Sequence, residues 1–240
     1  MNGCSLWQLR RRPAPTAYLA DTMASDATQL TTCAGSAARI HPMQRSVKSC
    51  LDYIGAGVLI VLLSPVFVFV GALVVLQSGW PVIYRRRVLG MRGEFDAFKF
   101  RTMRPDADAV LASDPVLRAE FEQNFKLKRD PRLTRLGAFL RRSSLDELPQ
   151  LFNVLKGQMS LVGPRMVTLA ELEKYGEYKV LRLTVKPGIT GYWQVHGRQE
   201  VHYDERVRMD MYYIQNWSLM MDLKILIKTP LKVLRKEGAY

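Results

Sequence analysis

The stretch IGAGVLIVLLSPVFVFVGALVVL, residues 54–76, decides how this chain is built. It carries no charged side chain and, as a helix, would be about 34 Å long, enough to cross the hydrocarbon of a bilayer. Ser64-Pro65 stands at its midpoint. Proline removes a helical hydrogen bond and pushes the residue before it away from helical angles, so a kink or break is expected there. Each half is then only about 17 Å long, too short to span alone.

The flanks sharpen the question. Arg45 and Lys48 precede the run, and Arg85, Arg86 and Arg87 follow it. Tyr53 stands at one end and Trp80 and Tyr84 at the other, as interfacial aromatics do. With cations on both sides, the bias of basic residues toward the cytoplasm selects no direction. A helix that enters, bends at Ser64-Pro65 and returns satisfies both ends. A kinked helix that crosses is the other reading.

Upstream, residues 1–43 read as a loosely ordered tail, because Ala, Ser, Thr and Pro dominate from Pro13 to Ala38 without a helical or alternating pattern. Arg10, Arg11 and Arg12 have no apolar run close behind them, so no secretory signal peptide is expected. Residues 44–80 form the membrane segment in this reading, and residues 81–240 the remaining domain. Within that domain, Val82 to Tyr84 and Phe95 to Phe100 read as short strands joined through Gly90 and Gly93. Alternation puts Phe98 and Phe100 on one face and Lys99 and Arg101 on the other. Ala107 to Lys126 reads as a polar helical stretch. Pro131 to Arg142 and Trp217 to Lys236 read as basic amphipathic helices suited to a membrane surface or a core, the second bent or interrupted at Pro230. The fold class is α+β, with amphipathic surface helices and a small strand region.

The chain holds 35 Lys plus Arg against 22 Asp plus Glu, a net charge of +13, which calls for an anionic partner: nucleic acid, an anionic membrane or a phosphorylated substrate. Cys4, Cys33 and Cys50 form no CxxC pair, and His41, His196 and His202 do not cluster. A zinc site is not expected, and any metal would need oxygen ligands, favouring magnesium or manganese.

The chemistry concentrates between Asp130 and Arg165. Asp130-Pro131-Arg132 is followed by Arg141 to Gln150, RRSSLDELPQ, and then by Gly163-Pro164-Arg165. Adjacent acids among arginines suit phosphate chemistry, since a carboxylate can attack phosphorus while cations hold the equatorial oxygens. The plainer alternative is a capping box, with Ser144 at the helix start and Glu147 three residues on. Both readings can hold, because a helix start also attracts phosphate.

Taken in order, these motifs resemble the bacterial sugar transferases, the monotopic phosphoglycosyl transferases, from about Arg45 to Tyr240. The resemblance rests on Ser64-Pro65, Lys99 to Met103, Asp130-Pro131-Arg132, Leu145 to Gln150, Asn153 to Gly157, Ser160 to Arg165 and Lys186 to Val195. It implies a monotopic domain on the cytoplasmic face of the bacterial inner membrane, with a re-entrant helix broken at Ser64 and Pro65. It also implies transfer of a sugar phosphate from a UDP-sugar to a polyprenyl phosphate, with release of UMP. Asp146 matches the family nucleophile and Glu147 its acidic partner. The pair would hold magnesium, and Lys99, Arg101, Arg142 and Arg165 would contact phosphates. The expected partners are therefore UDP-sugar, polyprenyl phosphate and the lipid bilayer, with no nucleic acid and with a homodimer as a further option. Met166 stands where the family turn usually has proline, and Gln158 where it usually has an acid. A non-catalytic basic membrane protein and a nucleotide-sugar hydrolase are the competing readings. The first predicts no UMP release, and the second predicts turnover without lipid.

Overall fold

The computed structural model describes residues 42–124, 127, 130–197 and 202–234. The reading of residues 1–43 as a tail therefore falls almost entirely outside the described residues. The apolar run becomes two helices, α1 (Pro42–Leu62) and α2 (Ser64–Ser78), bent by 63°. The break is where proline chemistry puts it. Pro65 lies in the first turn of α2, where a missing N–H leaves nothing unsatisfied. The Ser64 hydroxyl donates to the Val61 carbonyl at 2.8 Å, supporting the turn. Among the described residues no single helix is long and apolar enough to cross a membrane, but the bent pair together has that length and composition.

Both outer ends of the pair are fastened to the same body. Near the start of α1, Lys48 Nζ donates to the Asp222 carboxylate at 2.5 Å and to the Val162 carbonyl at 3.0 Å. One turn on, Asp52 Oδ1 accepts from the Leu161 N–H at 3.0 Å. At the far end, the Arg101 guanidinium donates to the Ser78 carbonyl at 3.0 Å. Between these anchors one side of α2 packs inward, where Val70 and Val74 meet Phe100 and Leu140. Val61 and Leu62 at the end of α1, and Val68, Phe69 and Leu76 of α2, stay exposed. An apolar face of this size outside any core is a surface for another phase or another molecule.

The strand pair is longer than expected at its first arm. β1 (Ile83–Gly90) pairs antiparallel with β2 (Gly93–Phe100), from Ile83 opposite Phe100 to Gly90 opposite Gly93. Gly93 sits at φ 104°, a turn position that side chains rarely adopt. The helical stretch expected from Ala107 to Lys126 is two helices, α3 (Ala107–Ser113) and α4 (Pro115–Asn124). Asp114 between them is extended, as a residue before proline must be, and its carboxylate accepts from the Val116 and Leu117 N–H groups, both at 3.0 Å. Helix α5 (Arg135–Arg142) starts at Thr134, whose hydroxyl accepts from the Gly137 N–H at 2.9 Å. Gly137 lets the helix meet the chain leaving β2, since a Cβ there would lie 1.9 Å from the Thr102 carbonyl oxygen.

The rest is short elements: α6 (Gln150–Leu155), β3 (Ser160–Val162), α7 (Leu169–Glu173), α8 (Lys179–Leu183), β4 (Gly188–Thr190) and α9 (Tyr192–His196). Two longer helices close the chain, α10 (Tyr203–Gln215) and α11 (Leu219–Leu234). Strands β3 and β4 pair in parallel, an element absent from the sequence reading. Pro230 lies inside α11 without ending it, contrary to the interruption allowed for above. Helix α11 exposes Met220, Leu223, Ile227 and Leu231, a second apolar face beside its lysines. The architecture is α+β, as the motif pattern implied.

Candidate active site

The acid pair does not start a capped helix. Helix α5 ends at Ser143, and Ser144 takes a left-handed conformation, φ 55° and ψ 14°, with no hydrogen bond from its side chain to a helix start. The residue after a helix end often does this, because it turns the chain away from the helix axis. A 3-10 turn, Leu145–Glu147, follows. The capping-box reading is therefore overturned. The same four-residue signature does form a capping box at Thr168–Glu171, where the backbone before α7 is extended.

The turn buries Asp146 and leaves Glu147 partly buried. Glu147 Oε1 accepts from Lys99 Nζ at 2.6 Å and lies 3.7 Å from Arg165 Nη2. Asp146 Oδ2 lies 3.8 Å from the same Lys99 ammonium. The two acids are driven apart in their titration. Burial and the Glu147 charge push Asp146 up to about 6, against the pull of Lys99, Arg141 and Arg165. Burial also pushes Glu147 up, but Lys99, Arg165 and the lysine hydrogen bond overcome it and hold Glu147 down to about 2. Neighbouring carboxyls with separated titrations leave one firmly ionised and the other poised.

The expected cations divide. Lys99 reaches the acids because alternation along β2 turns it to the face that Phe95 and Ala97 bury. Arg165 reaches them from the turn after β3. Arg101 and Arg142 line the same cavity but are engaged elsewhere, Arg101 on the Ser78 carbonyl and Arg142 on the Ala138 carbonyl of its own helix. Arg141, not among the expected cations, lines the cavity as well. Its Nε donates to Thr102 Oγ1 at 3.1 Å, Asp130 lies 3.9 Å from its Nη1, and its charge acts on Asp146. Arg141 is one turn after Gly137, on the side of α5 that faces Thr102. Asp130-Pro131-Arg132 closes on itself through two 2.8 Å bonds between the arginine fork and the carboxylate. Gln158 keeps an acceptor where the family pattern has an acid: its amide oxygen accepts from the buried Asn153 at 2.9 Å, and Asn153 also bonds Asp96 and Phe98 of β2.

The acids open on a cavity of about 1660 Å³. Eleven lysines and arginines and five acids line it, so it suits a ligand with several negative charges. Leu59 and Leu63 beside the helix bend, and Trp80 beyond the far end of α2, add apolar surface to it. Among the described residues no group of three or more His, Cys, Asp or Glu side chains is placed to hold a metal ion. Asp146 and Glu147 alone still fit magnesium, which needs only one or two carboxylates when substrate phosphates and water fill the remaining positions.

The profile of the family described as bacterial sugar transferase matches residues 43–236. The undecaprenyl-phosphate galactose phosphotransferase of Salmonella typhimurium is 47% identical over 201 residues, covering 82% of this chain and 42% of that protein. The exopolysaccharide production protein ExoY of Rhizobium meliloti is 43% identical over 206 residues, covering 84% of this chain and 91% of that protein. The UDP-glucose:undecaprenyl-phosphate glucose-1-phosphate transferase of Escherichia coli is 41% identical over 207 residues, again 82% and 42%. This chain thus spans about two fifths of two of these relatives and nearly all of the third. On the family profile and these identities, the chain belongs to the bacterial sugar transferases.

Proposed function

We propose that this protein transfers a sugar 1-phosphate from a UDP-sugar to undecaprenyl phosphate or a similar polyprenyl phosphate, releasing UMP, as the membrane step that starts an exopolysaccharide or related glycan. The observation that carries the reading is the acid pair, one carboxyl poised and one held ionised, in a strongly cationic cavity that also has apolar lining. Asp146 attacks the sugar-bearing phosphorus, the bond to the UMP oxygen breaks, and UMP leaves with that electron pair. An oxygen of polyprenyl phosphate then attacks the same phosphorus and the aspartyl–phosphorus bond breaks, restoring the carboxylate. Charges balance over the two steps, so no net proton is needed.

Lys99, Arg141 and Arg165 offset the repulsion between Asp146 and the diphosphate. Glu147, held ionised, keeps Lys99 and Arg165 in register beside the nucleophile. Magnesium, with manganese as the alternative, would be held by Asp146 and Glu147 and would neutralise phosphate charge when bound. The lipid acceptor enters past the apolar lining residues Leu59 and Leu63 beside the helix bend. The bent pair α1–α2 dips into the cytoplasmic leaflet of the inner membrane, and the catalytic body stays on the cytoplasmic face.

The test is a panel of UDP-sugars with polyprenyl phosphate, reading UMP. Release is expected to depend on the lipid acceptor, to stop on chelation and to return with magnesium. Sustained turnover without lipid would make the protein a hydrolase, and no release with any UDP-sugar would leave a non-catalytic binder.

A further inference from the structure

Two arginines share one indole ring beside the acid pair. The Arg165 guanidinium carbon lies 5.9 Å from the Trp193 ring centre, and that of Arg206 lies 4.9 Å from it. All three side chains line the cavity that holds Asp146 and Glu147. Trp193 comes from α9, Arg206 from α10 and Arg165 from the turn after β3, so three separate elements converge.

A buried network sets this arrangement. The Arg182 guanidinium donates to the Arg165 carbonyl at 2.6 Å, and the Arg182 and Arg165 charges act on the Asp210 carboxylate. The Tyr175 hydroxyl fixes the Asp210 carboxylate at 2.8 Å. Arg182 is 0% exposed and Asp210 1%. Asp210 is also one helical turn along α10 from Arg206. The helix whose Asp210 faces Arg182 and Arg165 therefore also carries the second arginine. Burying charged side chains is costly, and the geometry this network secures is the Arg165–Arg206 pair.

The pair has a defined place relative to the nucleophile. The Arg165 charge acts on both acids, but its Nη2 makes its close approach to Glu147, at 3.7 Å. The Arg165–Arg206 flank is thus on the Glu147 side of the attacking carboxylate. In an in-line displacement the leaving group departs away from the nucleophile, and its phosphate needs cations there. Arginine forks suit that phosphate, and an indole face borders a planar base.

We propose that Arg165, Arg206 and Trp193 form the subsite for the leaving nucleoside 5′-monophosphate, with Arg182 and Asp210 as positioning residues. This rests on the transfer reaction proposed above. The test uses the full chain in lipid nanodiscs with magnesium and UMP as the probe, in titration calorimetry. Arg206→Gln is expected to weaken UMP binding at least about tenfold, since a charge-assisted phosphate contact is lost. Arg206→Lys should recover part of the loss. Uridine, which lacks the phosphate, should bind weakly and alike to parent and Arg206→Gln. Parent-like UMP affinity in Arg206→Gln, or no UMP binding by the parent, would overturn the subsite. If Arg206→Gln does not fold, an Arg206→Lys protein with unchanged UMP affinity and unchanged KM for UDP-sugar overturns it, and a weakened one supports it. If UMP binds as expected but no UDP-sugar ever yields UMP, the reaction falls and the nucleotide site stands.

Discussion

At the scale of single residues, the two acids predict opposite responses. Asp146 holds its proton more tightly in the folded chain, at about 6 against an ordinary 3.8, so ionising it costs stability as pH rises from about 4 through 6, and the cost persists at pH 7. Asp146→Asn removes that charge and is expected to stabilise the protein by on the order of 1–3 kcal/mol at pH 7 while abolishing transfer. Glu147 has the reverse sign. Its folded value of about 2 lies below 4.5, so its contribution is present above about 4.5 and lost as pH falls through 2. Glu147→Gln leaves Lys99 only the longer Asp146 contact and is expected to cost about 3 kcal/mol. Denaturant unfolding of both variants at pH 7 checks the pair, and equal destabilisation would contradict it. Ser144 gives a separate test. A β-branched residue in its left-handed conformation should cost about 1–2 kcal/mol, so Ser144→Val is expected to lower the melting temperature, and Ser144→Gly to leave it level or raise it. The acids were legible because their neighbours form a dense motif. Arg141 was not, because adjacent arginines look alike until helix phase relative to Gly137 is fixed by contact with Thr102.

At the scale of elements, the break at Ser64-Pro65 was legible because proline acts locally. The split at Asp114-Pro115 has the same cause and was readable in principle. Strands β3 and β4 were not, since three-residue strands carry no periodicity and pair only once distant segments meet. The bent pair makes a topological prediction. Its two ends grip one body through Lys48–Asp222 and Arg101–Ser78, so both flanks should lie on the same side of the membrane. Single cysteines near residues 45 and 92, added in a background with the chain's three cysteines replaced, should both resist labelling from outside intact cells. Labelling of the first with none of the second would show a crossing helix. Pro65→Leu, which restores a backbone donor, should shift the labelling toward that crossing pattern.

At the scale of the whole molecule, parts with different jobs share one set of anchors. Asp222 ties α11 to α1, and Val162 of β3 accepts from Lys48 and from Tyr213. Three residues beyond Val162, Arg165 reaches Glu147. The apolar helices and the acid pair are therefore joined by one short stretch of backbone, which in the proposed reaction would bring a lipid-borne substrate and a soluble one to a single cavity. No local motif announced this, because Arg182, Asp210 and Asp222 look like ordinary charges until burial identifies them. The most direct test of the account is mass spectrometry of protein quenched after exposure to a UDP-sugar and magnesium without lipid acceptor. The account predicts a sugar-phosphate adduct on the peptide containing Asp146, lost on adding polyprenyl phosphate and absent in Asp146→Asn. Near-parent turnover by Asp146→Asn, or an adduct on another residue, would contradict it.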